Sequence, residues 1–275
     1  MTDLASWVGR EEFTSDVAAL SPLLGLAALL DHERPPWRSG YVPPLGHWCY
    51  FLPRTRQSDL AADGHARRGG FLPPVPLARR MWAGSRVRFA TQITVGAPID
   101  RRSRIASVTS NDSSGSPKVF VSIHHVVLVD GSVAVEDEQE LVYLDAPGTS
   151  SPPAPAAAAV PELTRTVTLD SVRLFRFSAL TFNAHLIHYD RDYACGTEGY
   201  AGLVVHGPYL AVLLMDLFLN AHPTAIVTRA SFRARRPMFA PCIAQLCMRK
   251  TDSGADLWTR SEAGAVTLTA NIETT

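Results

Sequence analysis

The segment HGPYLAVLLMDLFLNAH, which runs from His206 to His222, decides the fold of this 275-residue chain. It is apolar on nearly every face of a helix, and a helix that is hydrophobic all round is buried. Gly207 and Pro208 suit its first turn, where a proline loses no hydrogen bond. We therefore expect a long buried helix here, with the neighbouring segments wrapped round it.

The segments around this helix predict an antiparallel sheet. Residues 171–182, SVRLFRFSALTF, alternate apolar and polar side chains, which favours a strand. Three extended segments follow the helix, at 225–236, 241–251 and 257–273. One buried helix with an antiparallel sheet wrapped round it is the hotdog arrangement, and the alternative is some other sandwich. Both interpretations place the chain in the α+β class.

The first half of the chain has the same order of elements as the second. FATQITVGAPI, from Phe89 to Ile99, and FRARRPMFAPC, from Phe232 to Cys242, both run from a Phe to an Ala-Pro, and the Phe-to-Pro spacing is nine in each. A second extended stretch and a polar turn follow in both halves. The sequence therefore favours a duplication, which makes the fold a double hotdog with two antiparallel sheets if the hotdog interpretation of the second half is right.

A segment at 146–162 separates the two halves and is rich in Pro, Ala and Ser, which is typical of a semi-extended linker. We expect an N-terminal degenerate hotdog domain at 1–145 and a C-terminal catalytic hotdog domain at 163–275. The boundaries follow from composition alone.

A central helix is expected to be missing from the first half. A helix is predicted from Ser15 to Asp31, but FLPPVPLARRMW at 71–82 has three prolines where the second half has its long helix. Such a segment cannot form an uninterrupted helix. The loss would open room for a bulky ligand between the halves, although a diverged repeat would look the same.

Composition excludes several classes of protein. The net charge is zero and the pI is about 7.1, whereas proteins that bind nucleic acid usually carry a basic surplus. The N-terminus lacks a signal-peptide pattern. The longest apolar run, from Leu23 to Leu30, has eight residues, and a membrane-spanning helix needs about 20. Four cysteines without a CxxC pair favour reduced thiols. We expect a cytoplasmic protein that binds neither nucleic acid nor membranes.

The stretch TFNAHLIHYD, from Thr181 to Asp190, carries the candidate functional residues. His185 and His188 could bind a metal together with Asp190, but the pair lacks the glutamate of zinc-protease signatures, so we predict no metal site. Ordinary, partly buried histidines are a second interpretation. Proton transfer is the third, because histidine can act first as a base and then as an acid.

Proton transfer agrees best with the neighbouring residue types. The amide of Asn183 can hold a water molecule. The helix start at Gly207 offers backbone N–H groups and a partial positive charge. A positioned water, a base and donors that face an enolate oxygen are what the hydration of an activated double bond requires.

FSALTFNAHLIHYD at 177–190, followed by GLVVHGP at 202–208, resembles the MaoC-type hotdog hydratases and dehydratases of acyl thioesters. The motif of that family has an Asp, then an Asn and then a His. Asn183, His185 and His188 occupy these three positions. The resemblance implies that His188 is the catalytic base and that Asn183 holds the water.

Gly207, 19 residues past His188, matches the glycine whose N–H binds the thioester oxygen in this family. Asn183 departs from the family Asp but matches a branch related to mitochondrial 3-hydroxyacyl-thioester dehydratases. RRMWAG at 79–84 resembles the same branch, whose members are double hotdogs. Its bacterial members include mesaconyl-C4-CoA (3-methylfumaryl-CoA) hydratase and itaconyl-CoA hydratase. The resemblance thus implies hydration of a branched C5 dicarboxylic acyl-CoA to citramalyl-CoA, with no cofactor besides the CoA of the substrate.

Other side chains near the motif are candidates for substrate binding. His206 and Tyr209 flank the helix start and could line the acyl pocket, although Tyr209 could equally belong to the core. His185 is expected to hold the shape of the loop through hydrogen bonds. Asp190 is expected to cap or orient the turn.

Several arginines could bind the phosphates of CoA or a carboxylate of the substrate. Arg233 and Arg235 alternate onto one face of a predicted strand that also carries Arg236. Arginine pairs strongly with such anions. A solvated sheet edge is the alternative. The same two interpretations apply to Arg79 and Arg80.

Other functions stay open at this point. The same motif would serve the dehydration of 3-hydroxyacyl thioesters in fatty-acid metabolism. A thioesterase usually needs a carboxylate near the helix, and the helix has none before Asp216. The presence of both His188 and Gly207 disfavours a non-catalytic thioester-binding module. A duplicated hotdog could pair its halves within one chain or form a homodimer.

Overall fold

A computed structural model describes residues 3–111, 117–145 and 160–275. The helices are α1 (Leu20–Leu29), α2 (Ser171–Thr181) and α3 (Gly207–Ala221). The strands are β1 (Glu11–Val17), β2 (Arg79–Phe89), β3 (Pro98–Asn111), β4 (Lys118–Val129), β5 (Ser132–Leu144), β6 (Leu163–Leu169), β7 (Leu203–Val204), β8 (Val227–Ala234), β9 (Phe239–Ala240), β10 (Cys242–Thr251), β11 (Gly254–Arg260) and β12 (Val266–Thr274). None of the helices in these ranges has the length and apolar character needed to cross a membrane. The predicted linker at 146–162 falls mostly outside the described residues, and the domain boundaries stay predictions.

Ten strands form one antiparallel sheet in the order β1-β3-β4-β5-β2-β8-β12-β11-β10-β6. β2 and β8 meet at its centre, where Val87 lies opposite Ala230. The order on one side of this junction repeats on the other, so β5 corresponds to β12 and β3 to β10. The repeated Ala-Pro leads into β3 in one half and into β10 in the other. The predicted α+β double hotdog is therefore confirmed, with its two sheets joined edge to edge.

α3 is the buried helix that the sequence predicts. Every residue from Tyr209 to Leu219 is buried, and the helix packs against β10, β11, β12 and β2. The buried carboxylate of Asp216 accepts a hydrogen bond from Arg165 at 2.7 Å and pairs with His32 at 2.5 Å. A buried charge needs such partners. These contacts tie the helix to β6 on one side and to the first half on the other.

The strand predicted at 171–182 is wrong, because these residues form α2. Asp170 caps its first turn, as acidic N-caps do. The buried Leu174 and Phe177 lie three residues apart, which is the spacing of an amphipathic helix. Phe175 is apolar but exposed. Apolar residues on both faces of the helix produced the apparent alternation.

The first half keeps its sheet without a regular central helix, as predicted. α1 is shorter than the predicted 15–31 because Ser15 to Val17 belong to β1, and it packs against α2. Residues 71–78 are not helical. Within them, Val75 and Leu77 cover part of the inner face of β3, β4 and β5.

The missing helix leaves polar side chains on the inner face of the first sheet. One row of directly opposed residues across β1, β3, β4 and β5 contains Glu12, Ser103, His125 and Asp137. The corresponding row beneath α3 contains Arg165, Leu246, Thr259 and Leu268. An apolar helix covers the second row, whereas the first row borders a cavity.

Candidate active site

A cavity of about 2040 Å³ lies between the two halves. The first half contributes β2 and the loop that precedes it, and the second half contributes the loop after α2 and the start of α3. The cavity wall brings together five residues that the sequence singles out, namely Asn183, His185, His188, His206 and Gly207.

The ring of His188 is fixed on two sides. Its Nδ1 donates a hydrogen bond to the carbonyl oxygen of Val204 at 2.7 Å, and its face stacks on the ring of His206 with 3.5 Å between the ring centroids. A proton on Nδ1 leaves a lone pair on Nε2. Burial lowers the pKa of His188 to about 4, so the ring is neutral at pH 7 and can accept a proton.

His206 holds His188 beside the first amides of α3. It directly precedes Gly207, and its Nε2 shares a hydrogen bond of 2.9 Å with Oγ of Ser178. Burial and the nearby histidine rings hold the pKa of His206 well below its usual value. The stacked pair is therefore uncharged at neutral pH, and it places the His188 ring next to the start of α3.

Asn183 and His185 form a tight turn at the cavity. Oδ1 of Asn183 accepts a hydrogen bond from the backbone N–H of His185 at 3.1 Å. This bond uses the carbonyl end of the side chain and leaves the Nδ2 group to hold a water molecule. Burial, followed by the neighbouring imidazoles, lowers the pKa of His185 to about 2. The neutral ring of His185 packs against His65 and His188, and its predicted role in holding the loop through side-chain hydrogen bonds stays a prediction.

The close approach of Trp82 requires a glycine at position 207. A Cβ atom at Gly207 would lie 2.5 Å from Cε3 of the indole, well inside van der Waals contact. Trp82 belongs to β2, so the first half closes over the first turn of α3. The N–H groups of that turn have no partners within the helix, and the His206 side chain does not cap it. They are available to a ligand oxygen at the positive end of the helix dipole.

A hairpin of the first half, residues 60–66, contacts the loop of residues 182–190, the candidate catalytic loop, and the sequence does not predict this contact. The N–H of Leu186 donates to the carbonyl oxygen of Asp63 at 3.0 Å. The hairpin stacks His65 against His185 with 4.1 Å between ring centroids, and Nδ1 of His65 lies 3.0 Å from Oδ2 of Asp63. The Asp-Gly pair in this hairpin signals a turn. No local signal tells which distant segment the turn contacts.

The family model described as hydroxyacyl-thioester dehydratase type 2 matches residues 41–240. The chain belongs to this family. Mesaconyl-C(4)-CoA hydratase of Chloroflexus aurantiacus is 42% identical over 276 residues, and the alignment covers 98% of each chain. The mitochondrial hydroxyacyl-thioester dehydratase type 2 of Schizosaccharomyces pombe is 24% identical, and that alignment covers 79% of this chain and 80% of the relative.

Solved structures share the fold of this hydroxyacyl-thioester dehydratase family member. HtdX of Mycobacterium tuberculosis has a TM-score of 0.69 at 18% identity, over 97% of this chain and 100% of its own. A MaoC-like dehydratase from Phytophthora capsici has a TM-score of 0.71 at 11% identity, over 97% and 95%. A further M. tuberculosis protein with a double hotdog fold has a TM-score of 0.57 at 13% identity, over 97% and 96%. The resemblance to MaoC-like hotdog enzymes is therefore confirmed.

Two residues predicted as substrate contacts lie elsewhere in this family member. Tyr209 is fully buried and stacks on Phe177 with 4.9 Å between ring centroids, behind the cavity wall. Its predicted place in the acyl pocket is wrong, because α3 turns this position into the core. Arg79 is buried in an ion pair of 2.7 Å with Glu198 and is not available to a substrate.

Three other predicted arginines border the cavity. Arg233 pairs with Glu140, and Arg235 donates to Oγ1 of Thr269 at 3.1 Å. Both are exposed, so their contact with CoA stays a prediction. Arg80 is half-buried in the wall.

A metal could find ligands at Asp63, His65 and His185, because one atom of each lies within 4.8 Å of the others. Asp190, which the sequence groups with the histidines, caps a neighbouring turn instead. Burial and the positive charge of Arg80 both lower the pKa of His65, and the same charge would repel a metal ion. The prediction that the chain binds no metal stays a prediction.

Proposed function

We propose that this chain is a hydratase that adds water to mesaconyl-C4-CoA and forms citramalyl-CoA, with itaconyl-CoA as a second substrate. The observation that carries the proposal is the buried, neutral ring of His188, held next to the first amides of α3. The similarity to the Chloroflexus hydratase over nearly the whole chain supports the choice of acyl group.

The first step polarises the thioester. Its carbonyl oxygen accepts a hydrogen bond from the N–H of Gly207, and the positive end of the α3 dipole stabilises the charge that develops there. Electron density is thereby drawn away from the β-carbon. Losing one donor of this kind typically costs about 100- to 1,000-fold in rate.

The second step consists of two proton transfers through His188. Nε2 of His188 takes a proton from a water that Nδ2 of Asn183 holds, the hydroxide adds to the β-carbon, and the double-bond electrons form an enolate. The imidazolium then returns its proton to the α-carbon, the carbonyl re-forms, and His188 is neutral again. The Val204 carbonyl keeps Nδ1 protonated throughout and stabilises the imidazolium. One water is consumed, and no cofactor is needed besides the CoA of the substrate.

The two proposed substrates differ in the position of the double bond. In mesaconyl-C4-CoA the bond is conjugated to the thioester, so addition gives the enolate directly. In itaconyl-CoA the bond lies one carbon further out, and a proton shift must come first. We therefore expect mesaconyl-C4-CoA to react faster.

A panel of thioesters followed by mass spectrometry tests the proposal. We expect the purified protein to add one water to mesaconyl-C4-CoA. Long-chain 3-hydroxyacyl thioesters that lose water while the C5 substrates stay unchanged would favour a dehydratase of fatty-acid metabolism. That second candidate uses the same site in reverse, and the family description supports it. No reaction with any thioester, together with tight binding, would indicate a non-catalytic binding module.

The predicted setting of the enzyme is part of the proposal. We place it in the cytoplasm, where acyl-CoA thioesters are available. β2 and β8 already pair within one chain, so the double hotdog does not need a second copy to join its sheets. Light scattering on the purified protein decides whether it is also a homodimer.

A further inference from the structure

Arg80 differs from the basic residues around it because it lacks an acidic partner. Arg79 pairs with Glu198, and Arg68 donates to backbone carbonyls within residues 75–78. In the part of the chain that the structure describes, no carboxylate lies within ion-pair distance of Arg80. The side chain is nevertheless half-buried in the wall of the cavity.

The side chain of Arg80 lies close to the neutral hydroxyl of Tyr143, so no negative charge offsets the guanidinium there. A cation that lines a cavity without a carboxylate nearby favours the binding of an anion. The guanidinium lies close enough to His65 and His185 that its charge adds to the effect of burial in lowering the pKa of both. The only carboxylate in this group, that of Asp63, is hydrogen-bonded to His65.

Arg80 also lies near the reacting atoms. It precedes Trp82 by two residues on β2, so the two side chains share a face about 7 Å apart, and both line the cavity. Trp82 touches Gly207, where the thioester oxygen would bind. On the other side, His185 lies 5.5 Å from His188 between ring centroids. The guanidinium therefore borders the space that the β-carbon of the acyl group would occupy.

We propose that Arg80 binds the free carboxylate of a dicarboxylic acyl-CoA, at the carbon that water attacks. The inference rests on the proposed function, because the free carboxylate of mesaconyl-C4-CoA is attached to the β-carbon. A carboxylate there repels the incoming hydroxide. A guanidinium can bind it through two parallel N–H···O bonds and offset its charge. Arg80 then both tightens binding and speeds the addition.

The binding of two unreactive thioesters tests this role without turnover. One is 3-carboxybutanoyl-CoA, the saturated analogue of the substrate, which carries one methyl group and one carboxylate on the β-carbon. The other is isovaleryl-CoA, in which a second methyl group replaces the carboxylate. In calorimetry, we expect the wild-type protein to bind the thioester with the carboxylate with a Kd about tenfold or more below its Kd for isovaleryl-CoA. Arg80→Met should abolish this preference, and Arg80→Lys should keep part of it.

Two controls protect the comparison. The Kd of Arg80→Met for isovaleryl-CoA should stay within about threefold of the wild-type value, which also reports that the variant is folded. Arg67→Met removes an exposed arginine at the edge of the same cavity, and it should change neither Kd by more than about threefold.

Turnover supplies a second readout. For Arg80→Met we expect kcat/KM with mesaconyl-C4-CoA to fall about 100-fold, through both kcat and KM, because the interaction acts on binding and on addition. With 3-methylcrotonyl-CoA, in which a methyl group replaces the carboxylate, the loss should stay within about threefold.

Several outcomes would overturn the proposal. It is wrong if Arg80→Met weakens the acidic and neutral thioesters equally, because the side chain then supports the fold or contacts CoA. It is also wrong if the wild-type protein does not prefer the acid. Failure of the proposed function looks different, since the protein would then prefer the acidic analogue in an Arg80-dependent way but add no water to mesaconyl-C4-CoA.

Discussion

His188 is the side chain on which the chemistry depends most. Its neutral Nε2 is the proposed proton acceptor, and general-base catalysis contributes about 100- to 10,000-fold in rate. We expect His188→Ala to keep less than about 1% of wild-type kcat with mesaconyl-C4-CoA. His222→Ala, at the far end of α3, is the matched control and should stay close to wild type. A purified His188→Ala protein that retains more than a few per cent of activity contradicts the assignment.

Gly207 combines two requirements at one position. Its N–H is the proposed donor to the thioester oxygen, and the absence of a Cβ lets Trp82 approach. We expect Gly207→Ala to lower kcat about 100-fold, because the indole or the helix start must shift and the donor is misaligned. The double variant Gly207→Ala/Trp82→Leu should recover part of the loss, since a smaller side chain relieves the overlap. A lack of any recovery would mean that the steric explanation is wrong.

The helices and loops differ in how far the sequence predicts them. α3 is predictable because a helix that is apolar on all faces must be buried. The spacing of His188 and Gly207 predicts the family. α2 is not, because exposed apolar residues such as Phe175 imitate the alternation of a strand. The hairpin at 60–66 is not predictable either, because its contact with the loop around His185 depends on how the two halves dock.

That hairpin depends on a glycine at its contact with the catalytic loop. Gly64 has a φ of +89°, and a Cβ there would lie 1.8 Å from the carbonyl oxygen of Ala184. We expect Gly64→Ala to lower the free energy of unfolding by at least about 2 kcal/mol and to lower kcat by moving the loop that carries Asn183. Chemical denaturation and steady-state kinetics measure the two effects.

A substitution at a second glycine distinguishes the cost of a positive φ from the cost of steric overlap. Gly96 has a φ of +91°, and a Cβ there would meet nothing within 4 Å. Gly96→Ala therefore carries the conformational cost of a positive φ without the overlap, typically about 1 kcal/mol. If both variants lose the same stability and neither loses activity, the hairpin does not position the catalytic loop.

The two halves of the molecule divide the work. The second half supplies the proposed base, the water-holding amide and the helix N-terminus, whereas the first half supplies Trp82, Arg80 and the hairpin at 60–66. The prolines at 71–82 made the loss of a central helix predictable. The polar row on the inner face of the first sheet, which includes His125 and Asp137, could not be predicted, because pairing register decides which side chains share a face.

Burying neutral histidines makes the stability of the whole molecule depend on pH. The folded-state pKa is about 4 for His188 and for His125, about 2 for His185, and lower than usual for His206. An unfolded histidine has a pKa of about 6.5. The stability that these groups contribute is complete above about pH 6.5 and is lost progressively as the pH falls from 6.5 towards the folded-state values. At pH 5, each ring that stays neutral in the folded protein lowers the free energy of unfolding by on the order of 1–2 kcal/mol.

Urea denaturation between pH 7.5 and pH 5 measures this dependence. We expect the free energy of unfolding to fall by several kcal/mol over that interval. In His125→Gln the free energy of unfolding should depend less steeply on pH, because up to one proton fewer is taken up on unfolding. The same variant leaves His188 in place. If His125→Gln loses less activity near pH 5 than the wild type does, the wild-type loss comes from unfolding. Protonation of His188 itself would act only nearer pH 4. A free energy of unfolding that does not change between pH 7.5 and pH 5 would mean that these rings are hydrated in solution, and the neutral base proposed for catalysis would lose its physical basis.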